Sequence, residues 1–340
     1  MVVREVKGDP RTHRRAFREF VRYELLCGGP DPHMKLAQSI AGQLSADLMQ
    51  RAWFIGCYIG PYNVPTGEAI FADWSHPVRA LHEPWDFEDW IRSNWSNLVL
   101  RRERRPVRSP RKFAEHMLDY ADWLTRPGGF EALARAESFE ESFEIVRQVR
   151  YNGRYATMKL YETLRRTCGL PKYEFTDIRP AGGWSPRLAL SWLYPDDAVE
   201  LNGNDSAFNL TMAQWDAELL RYELKMGGID LDWFNLEVML CDYKQAYDGR
   251  QYPGRAHDSE LGHLRKVQAA FPNTVFRTLN TRSLLFPSWA LGEVQGWEGR
   301  RDECSAVLGE HGYTWSDAIY DYVRTRETGD FVNPVVRSGS

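Results

Sequence analysis

Apolar residues along this chain recur with a helical period, and runs that alternate every second residue are too short for a large sheet. Residues 10–27 set Phe17, Phe20, Val21 and Leu25 among polar positions, which predicts one amphipathic helix. Gly28-Gly29-Pro30-Asp31-Pro32 breaks it. Residues 33–60 form a long apolar-periodic segment ending in Trp53, Phe54, Ile55, Cys57, Tyr58 and Ile59. Pro61 and Pro65, four apart, make the next turn irregular, and Thr66 is expected to cap a helix over about 67–74. Further helices are expected near 110–125, 130–150, 154–167, 186–194, 211–226, 231–247, 259–270 and 315–326. Polar loops are expected at 198–210 and 248–258, and a short extended piece near 273–279. With no internal repeat, the expected fold class is all-α.

The length is near the upper limit for one domain. The expected organisation is an N-terminal helical region over 1–130 with a basic segment and a second helical region over 131–330. The two form one compact unit, with a frayed tail at 331–340.

Composition sharpens this picture. Hydrophobic residues make up 43% of the chain, which supplies a real core. A formal charge of −4 argues against indiscriminate coating of nucleic acid, so the placement of charge matters more than its sum. Of 43 basic residues 35 are Arg, whose planar donor fork matches phosphate in a way the lysine ammonium does not. A GC-rich genome accounts for the same bias. Five scattered cysteines without a C-x-x-C pair imply free thiols in a reducing compartment and no structural zinc. The charged first 22 residues give no signal peptide, and no stretch of about 18 apolar residues predicts a membrane span.

Three stretches carry candidate chemistry. Residues 101–112 hold Arg101, Arg102, Arg104, Arg105, Arg108, Arg111 and Lys112 against a single Glu103. Ser109 and Pro110 then start a helix whose N–H groups add phosphate donors, and the nearby Trp85, Trp90 and Trp95 offer stacking faces. A solvated surface loop is the plain alternative. The second stretch is a glycine turn, Arg150-Tyr151-Asn152-Gly153-Arg154-Tyr155, leading into a helix and then to Asp177 and Arg179. An ordinary helix start and a capping Asp177 explain it equally well. Third, Lys244 ends a helix, and Arg250, Tyr252, Arg255, His257 and Asp258 follow around a Pro-Gly turn. Tyr62 and Asn63, held between prolines, make a smaller constrained polar spot. P-loop, dinucleotide, H-E-x-x-H, G-x-S-x-G and EF-hand signatures are all missing, so neither a nucleotide cofactor nor a metal is expected.

Three groups of residues resemble the phage amino acid:DNA transferases, also called α-glutamyl/putrescinyl thymine pyrophosphorylases. They are Trp53 to Asn63; Asn152 to Ala156 with Thr176 to Arg179; and Leu240 to Lys244 with Tyr252 to Asp258. That family resembles the helix–hairpin–helix DNA glycosylases, although the hairpin here, Asn-Gly-Arg-Tyr, lacks their paired glycines. The resemblance implies a helix–hairpin–helix glycosylase-like architecture acting on double-stranded phage DNA in the cytoplasm of an infected cell. A free amino acid of glycine or serine type would displace pyrophosphate from pyrophosphorylated 5-hydroxymethyluracil. It implies Asp177 and Arg179 as catalytic, and Arg154, Arg250, Tyr252, Arg255, Asp258 and Lys244 as binding substrate or pyrophosphate. Tyr62, Asn63, Tyr155 and Trp184 would hold a base turned out of the duplex, and the 101–111 arginines would grip the backbone. A base glycosylase or lyase and a noncatalytic DNA-binding phage protein remain the alternatives.

Overall fold

A computed structural model describes residues 10–101, 106–178, 184–194, 207–247, 252, 254–291 and 296–313. Those residues are all-α and contain no strand. The helices are α1 Pro10–Leu26, α2 Pro32–Leu44, α3 Leu48–Ile59, α4 Val64–Asp73, α5 Pro77–His82, α6 Pro84–Asn94, α7 Pro110–Thr125 and α8 Phe139–Arg147. They continue with α9 Arg154–Cys168, α10 Trp184–Leu193, α11 Ala207–Met226, α12 Trp233–Tyr247, α13 Arg255–Ala270, α14 Thr278–Leu285 and α15 Gly296–Glu310.

Local chemistry explains the boundaries, including those where pattern reading went astray. The 33–60 segment is two helices, because Ser45 is extended and the Asp47 carboxylate caps α3 through the Met49 N–H at 2.9 Å. Asn63, rather than Thr66, caps α4 by accepting the Thr66 N–H at 3.0 Å. The 130–150 stretch divides into a 3-10 turn, Phe130–Ala134, and α8, which Ser138 caps. Helix α13 starts at Arg255, so Arg255, His257 and Asp258 form a first helical turn instead of loop. Residues 271–277 belong to no strand, and α14 follows at once. The region 315–326 and the tail lie outside the described residues.

The chain makes two compact units whose segments interleave. One comprises residues 1–30, 177–255 and 292–340, and the other 31–176 and 256–291. In the first unit α1 packs on α10, α12 and α15, and the Tyr243 ring meets Phe17 and Phe20 edge-on at 5.2 and 5.9 Å. The second unit is built around α3, which packs on α2, α4, α7 and α9. Tyr120 of α7 stacks between Trp53 and Trp123 and donates its hydroxyl to the Ala52 carbonyl at 2.7 Å. Gly56 makes that approach possible, since a Cβ there would stand 2.0 Å from a Tyr120 ring carbon. Gly56→Ala is therefore expected to destabilise this unit by about 1–3 kcal/mol, despite the better helix propensity of alanine, read as a lower urea midpoint.

Glu68 of α4 is buried and accepts the Arg277 N–H at 2.6 Å and the Thr278 hydroxyl. Burial pushes its carboxyl up to about 7 against the pull of those donors. A raised folded pKa means stability that is complete below the unfolded value and lost as pH climbs through 7. Glu68→Gln should remove roughly 2–3 kcal/mol of the stability difference between pH 5 and pH 8, measured by urea unfolding at both.

Candidate functional site

The second unit holds a buried polar network that begins at the turn Gly60-Pro61-Tyr62-Asn63. Tyr62 sits at φ +54, in the left-handed region that a bulky side chain rarely enters. Its ring stacks on Tyr58 at 5.5 Å, its hydroxyl donates to Asp31 Oδ2 at 2.8 Å, and Pro61 accepts the Arg101 N–H at 3.1 Å. Such strain persists only where neighbours over-determine it, and its usual setting is a functional site.

Two charged clusters flank this turn. Asp31, just before α2, takes the Met34 N–H on Oδ1 at 3.0 Å and both the Tyr62 hydroxyl and Lys159 Nζ on Oδ2. The Lys159–Asp31 pair spans 2.9 Å with both side chains almost fully buried. Burial pushes the Asp31 carboxyl up, yet Lys159, His33 and the Met34 N–H together outweigh it and hold the group at about 2.

Across the turn, His33 Nδ1 lies 2.7 Å from Glu260 Oε2 and its Nε2 lies 2.5 Å from Arg101 Nη2. Arginine can only donate, so His33 Nε2 is the acceptor and the ring proton sits on Nδ1, facing Glu260. Arg101 also donates to Ser259 Oγ at 3.1 Å and stands 3.7 Å from Glu260. Burial pushes the Glu260 carboxyl up, but His33 beside it and the Arg101 charge hold it at about 2. His263, one turn on in α13, is driven down to about 4 by burial and by Arg101, so its ring is neutral near pH 7. The Asn63 Oδ1 is occupied by Thr66, so Asn63 Nδ2 donates to His263 Nδ1 at 3.1 Å and leaves the ring proton on Nε2. Tyr58 lies between the clusters, and its phenol feels Asp31, Arg101 and Glu260 together, although burial dominates in raising its pKa.

The network gathers four residues singled out from sequence: Tyr62, Asn63, Arg101 and Tyr155. Tyr155 is half-buried at its margin, with Lys159 Nζ 5.6 Å from the ring centre. Tyr62 and Asn63 are committed inward, which makes them positioning groups instead of free faces for a base. Arg101 likewise turns from the expected backbone contact into the His33–Glu260 cluster. Arg108 is exposed, Arg111 pairs with Glu115 at 2.9 Å, and Arg102, Arg104 and Arg105 lie outside the described residues. Of the nearby tryptophans, Trp90 and Trp95 pack on Phe271 and Phe113, whereas Trp85 is exposed.

Arg154 is exposed at the first turn of α9, where Gly153 provides no side-chain cap. In the other unit Asp177 is buried, and the next residue, Ile178, donates its N–H to Gln214 Oε1 at 3.1 Å. Lys244 is buried on α12, and the Arg255 guanidinium sits 6.0 Å from the half-buried Tyr252 ring. Asp258, half-buried in α13, belongs to the second unit. Arg179, Arg250 and the Trp184 side chain lie outside the described residues.

Pattern alone assigns no chemical role to Asp31, His33, Tyr58, Lys159, Glu260 or His263, although Tyr58 falls within the Trp53 to Asn63 stretch. Lys159 carried a readable signal, as one of eight lysines and set between the apolar Met158 and Leu160. Among the described residues no group of three or more His, Cys, Asp or Glu is arranged to hold a metal, and no helix is long and apolar enough to cross a membrane.

A family model described as amino acid:DNA transferase matches residues 62–252, more than half of the chain. An all-helical transferase enzyme is thus the class defined by fold and match together. The chain belongs to the amino acid:DNA transferase family. No curated protein and no solved structure matches it.

Proposed function

We propose that the protein joins a free amino acid, of glycine or serine type, to pyrophosphorylated 5-hydroxymethyluracil in double-stranded phage DNA. The observation that carries this reading is the family match over residues 62–252, which begins at the strained Tyr62 and includes Lys159. In the reaction the amino nitrogen attacks the exocyclic methylene carbon, and the carbon–oxygen bond to pyrophosphate breaks. The bonding pair leaves on the pyrophosphate oxygen, and the ammonium gives up its proton to a base. Departing negative charge is best stabilised by guanidinium groups, the role given to Arg154, Arg179, Arg250 and Arg255 with Lys244 and Tyr252. Asp177 is the proton acceptor, with Asp258 as a second carboxylate for the amino-acid ammonium. Tyr155 and Trp184 are the rings for a base turned out of the stack. The Asp31–Lys159 and His33–Glu260–Arg101 clusters hold the Tyr62 turn within the second unit.

The test is incubation of the protein with DNA containing pyrophosphorylated 5-hydroxymethyluracil and a mixture of amino acids, followed by nucleoside mass spectrometry. An amino-acid adduct with one pyrophosphate released per adduct is the expected result. Unchanged nucleosides with every amino acid would refute transfer. A second reading, base excision, draws on the turn between α8 and α9, whose uncapped α9 start is followed after the helix by Asp177. An abasic product would select it.

A further inference from the structure

Helix α1 carries a feature that the proposed chemistry leaves unused. Arg11, Arg15, Arg18 and Arg22 recur at helical spacing and form one ridge, while Phe17, Phe20, Val21 and Glu24 are buried. From Arg11 to Arg22 the ridge runs about 16 Å, or about five nucleotide steps at ~3.4 Å per step of a duplex strand. A basic helix face is ordinarily just solvated. Here the arginines converge: Arg15, Arg18 and Arg22, with Glu19, Gly312 and Tyr313, line a cleft of about 250 Å³ within the first unit.

Arg15 pairs with Glu19 at 2.9 Å, and Arg18 reaches Glu223 only at 4.0 Å. Arg22 makes no ion pair among the described residues. Its guanidinium lies 4.1 Å from the Tyr313 ring centre and donates to the Gly227 carbonyl at 3.3 Å. Its Nε is buried without a hydrogen-bond partner. Among the described residues Arg22 has no acidic partner, and an aromatic ring and a carbonyl hold it in place. A cleft lined by three arginines, one of them fixed by a ring and a carbonyl, on a chain of net charge −4 suits a phosphate oxyanion, which accepts the bidentate fork.

We propose that this cleft is a phosphate-oxyanion site, apart from the buried network of the other unit, that receives a phosphodiester of the DNA backbone. The proposal rests on the reading that DNA is the substrate. Released pyrophosphate offers the same chemistry, so the experiment separates the two sources.

The double variant Arg15→Gln/Arg18→Gln alters two partly exposed side chains, and Arg22→Gln tests the fixed one, with thermal melting confirming that each folds. Binding to a labelled unmodified duplex is followed by fluorescence anisotropy between 50 and 200 mM salt, and binding of inorganic pyrophosphate by calorimetry. The double variant is expected to lose duplex affinity by roughly tenfold at the low-salt end. Its log K against log salt slope should fall in magnitude by about 1 for each phosphate contact removed. Loss of pyrophosphate binding with duplex affinity intact would keep the oxyanion site and assign it to the released product. A folded double variant with unchanged duplex affinity, salt slope and pyrophosphate affinity would overturn the proposal. Because the duplex is unmodified, weakened binding by the variants stands even if wild-type protein forms no adduct, and adduct formation stands even if the variants bind normally.

Discussion

Lys159→Met is expected to destabilise the unit formed by residues 31–176 and 256–291 by about 3–5 kcal/mol, because it strips a buried Asp31 carboxylate of its salt-bridge partner. The Tyr62 hydroxyl and the Met34 N–H would still face that charge, but neither carries a compensating unit charge. Asp31→Asn in the same chain should recover most of the loss. The asparagine keeps its carbonyl on the Met34 N–H, and the methionine fills the lysine channel without a charge to desolvate. Chemical denaturation of the two single variants and the double variant measures the coupling directly. If the double variant is as unstable as the sum of the singles, the pair is not the determinant claimed. At low pH the same logic applies in reverse: a carboxyl held at about 2 contributes stability above its unfolded value and loses it as pH drops toward 2.

If Asp177 is the proton acceptor proposed above, Asp177→Asn is expected to reduce amino-acid transfer by about 10²- to 10⁴-fold while leaving duplex affinity within about twofold. Asparagine occupies nearly the same volume, so the buried position of residue 177 should tolerate it with little change in melting temperature. Single-turnover transfer and anisotropy on one preparation separate chemistry from binding. Full turnover in the variant would move the base elsewhere. A matched loss of turnover and DNA affinity would make Asp177 structural.

The helices were legible because their ends obey local rules. Pro110 after Ser109 starts α7, the Gly-Pro break stops α1, and the uncapped glycine at 153 marks where α9 begins. Errors arose where a local feature had two readings. Thr66 and Asn63 both cap helices well, and only the folded turn shows that Asn63 is the acceptor. The network was much less visible. Asp31 reads as part of a Gly-Pro break, His33 as the start of the apolar-periodic segment after it, and Glu260 and His263 as polar positions of a helix. Their meaning lies in pairings such as His33 with Glu260, far apart in the chain, and no local period encodes such a partner. Arg101 illustrates the converse: a basic run reads as a surface, yet its first member points into the protein.

The interleaving of the two units has a practical corollary for anyone who trims the gene. The polypeptide passes from one unit to the other after residues 30, 176, 255 and 291. A fragment cut at 62 and 252 would contain Lys159 and Arg101 but neither Asp31 and His33 nor Glu260 and His263. Such a clone would synthesise a lysine and an arginine with their counter-charges deleted, so insolubility of that product would report a severed scaffold and leave the chemistry of the intact enzyme unaddressed.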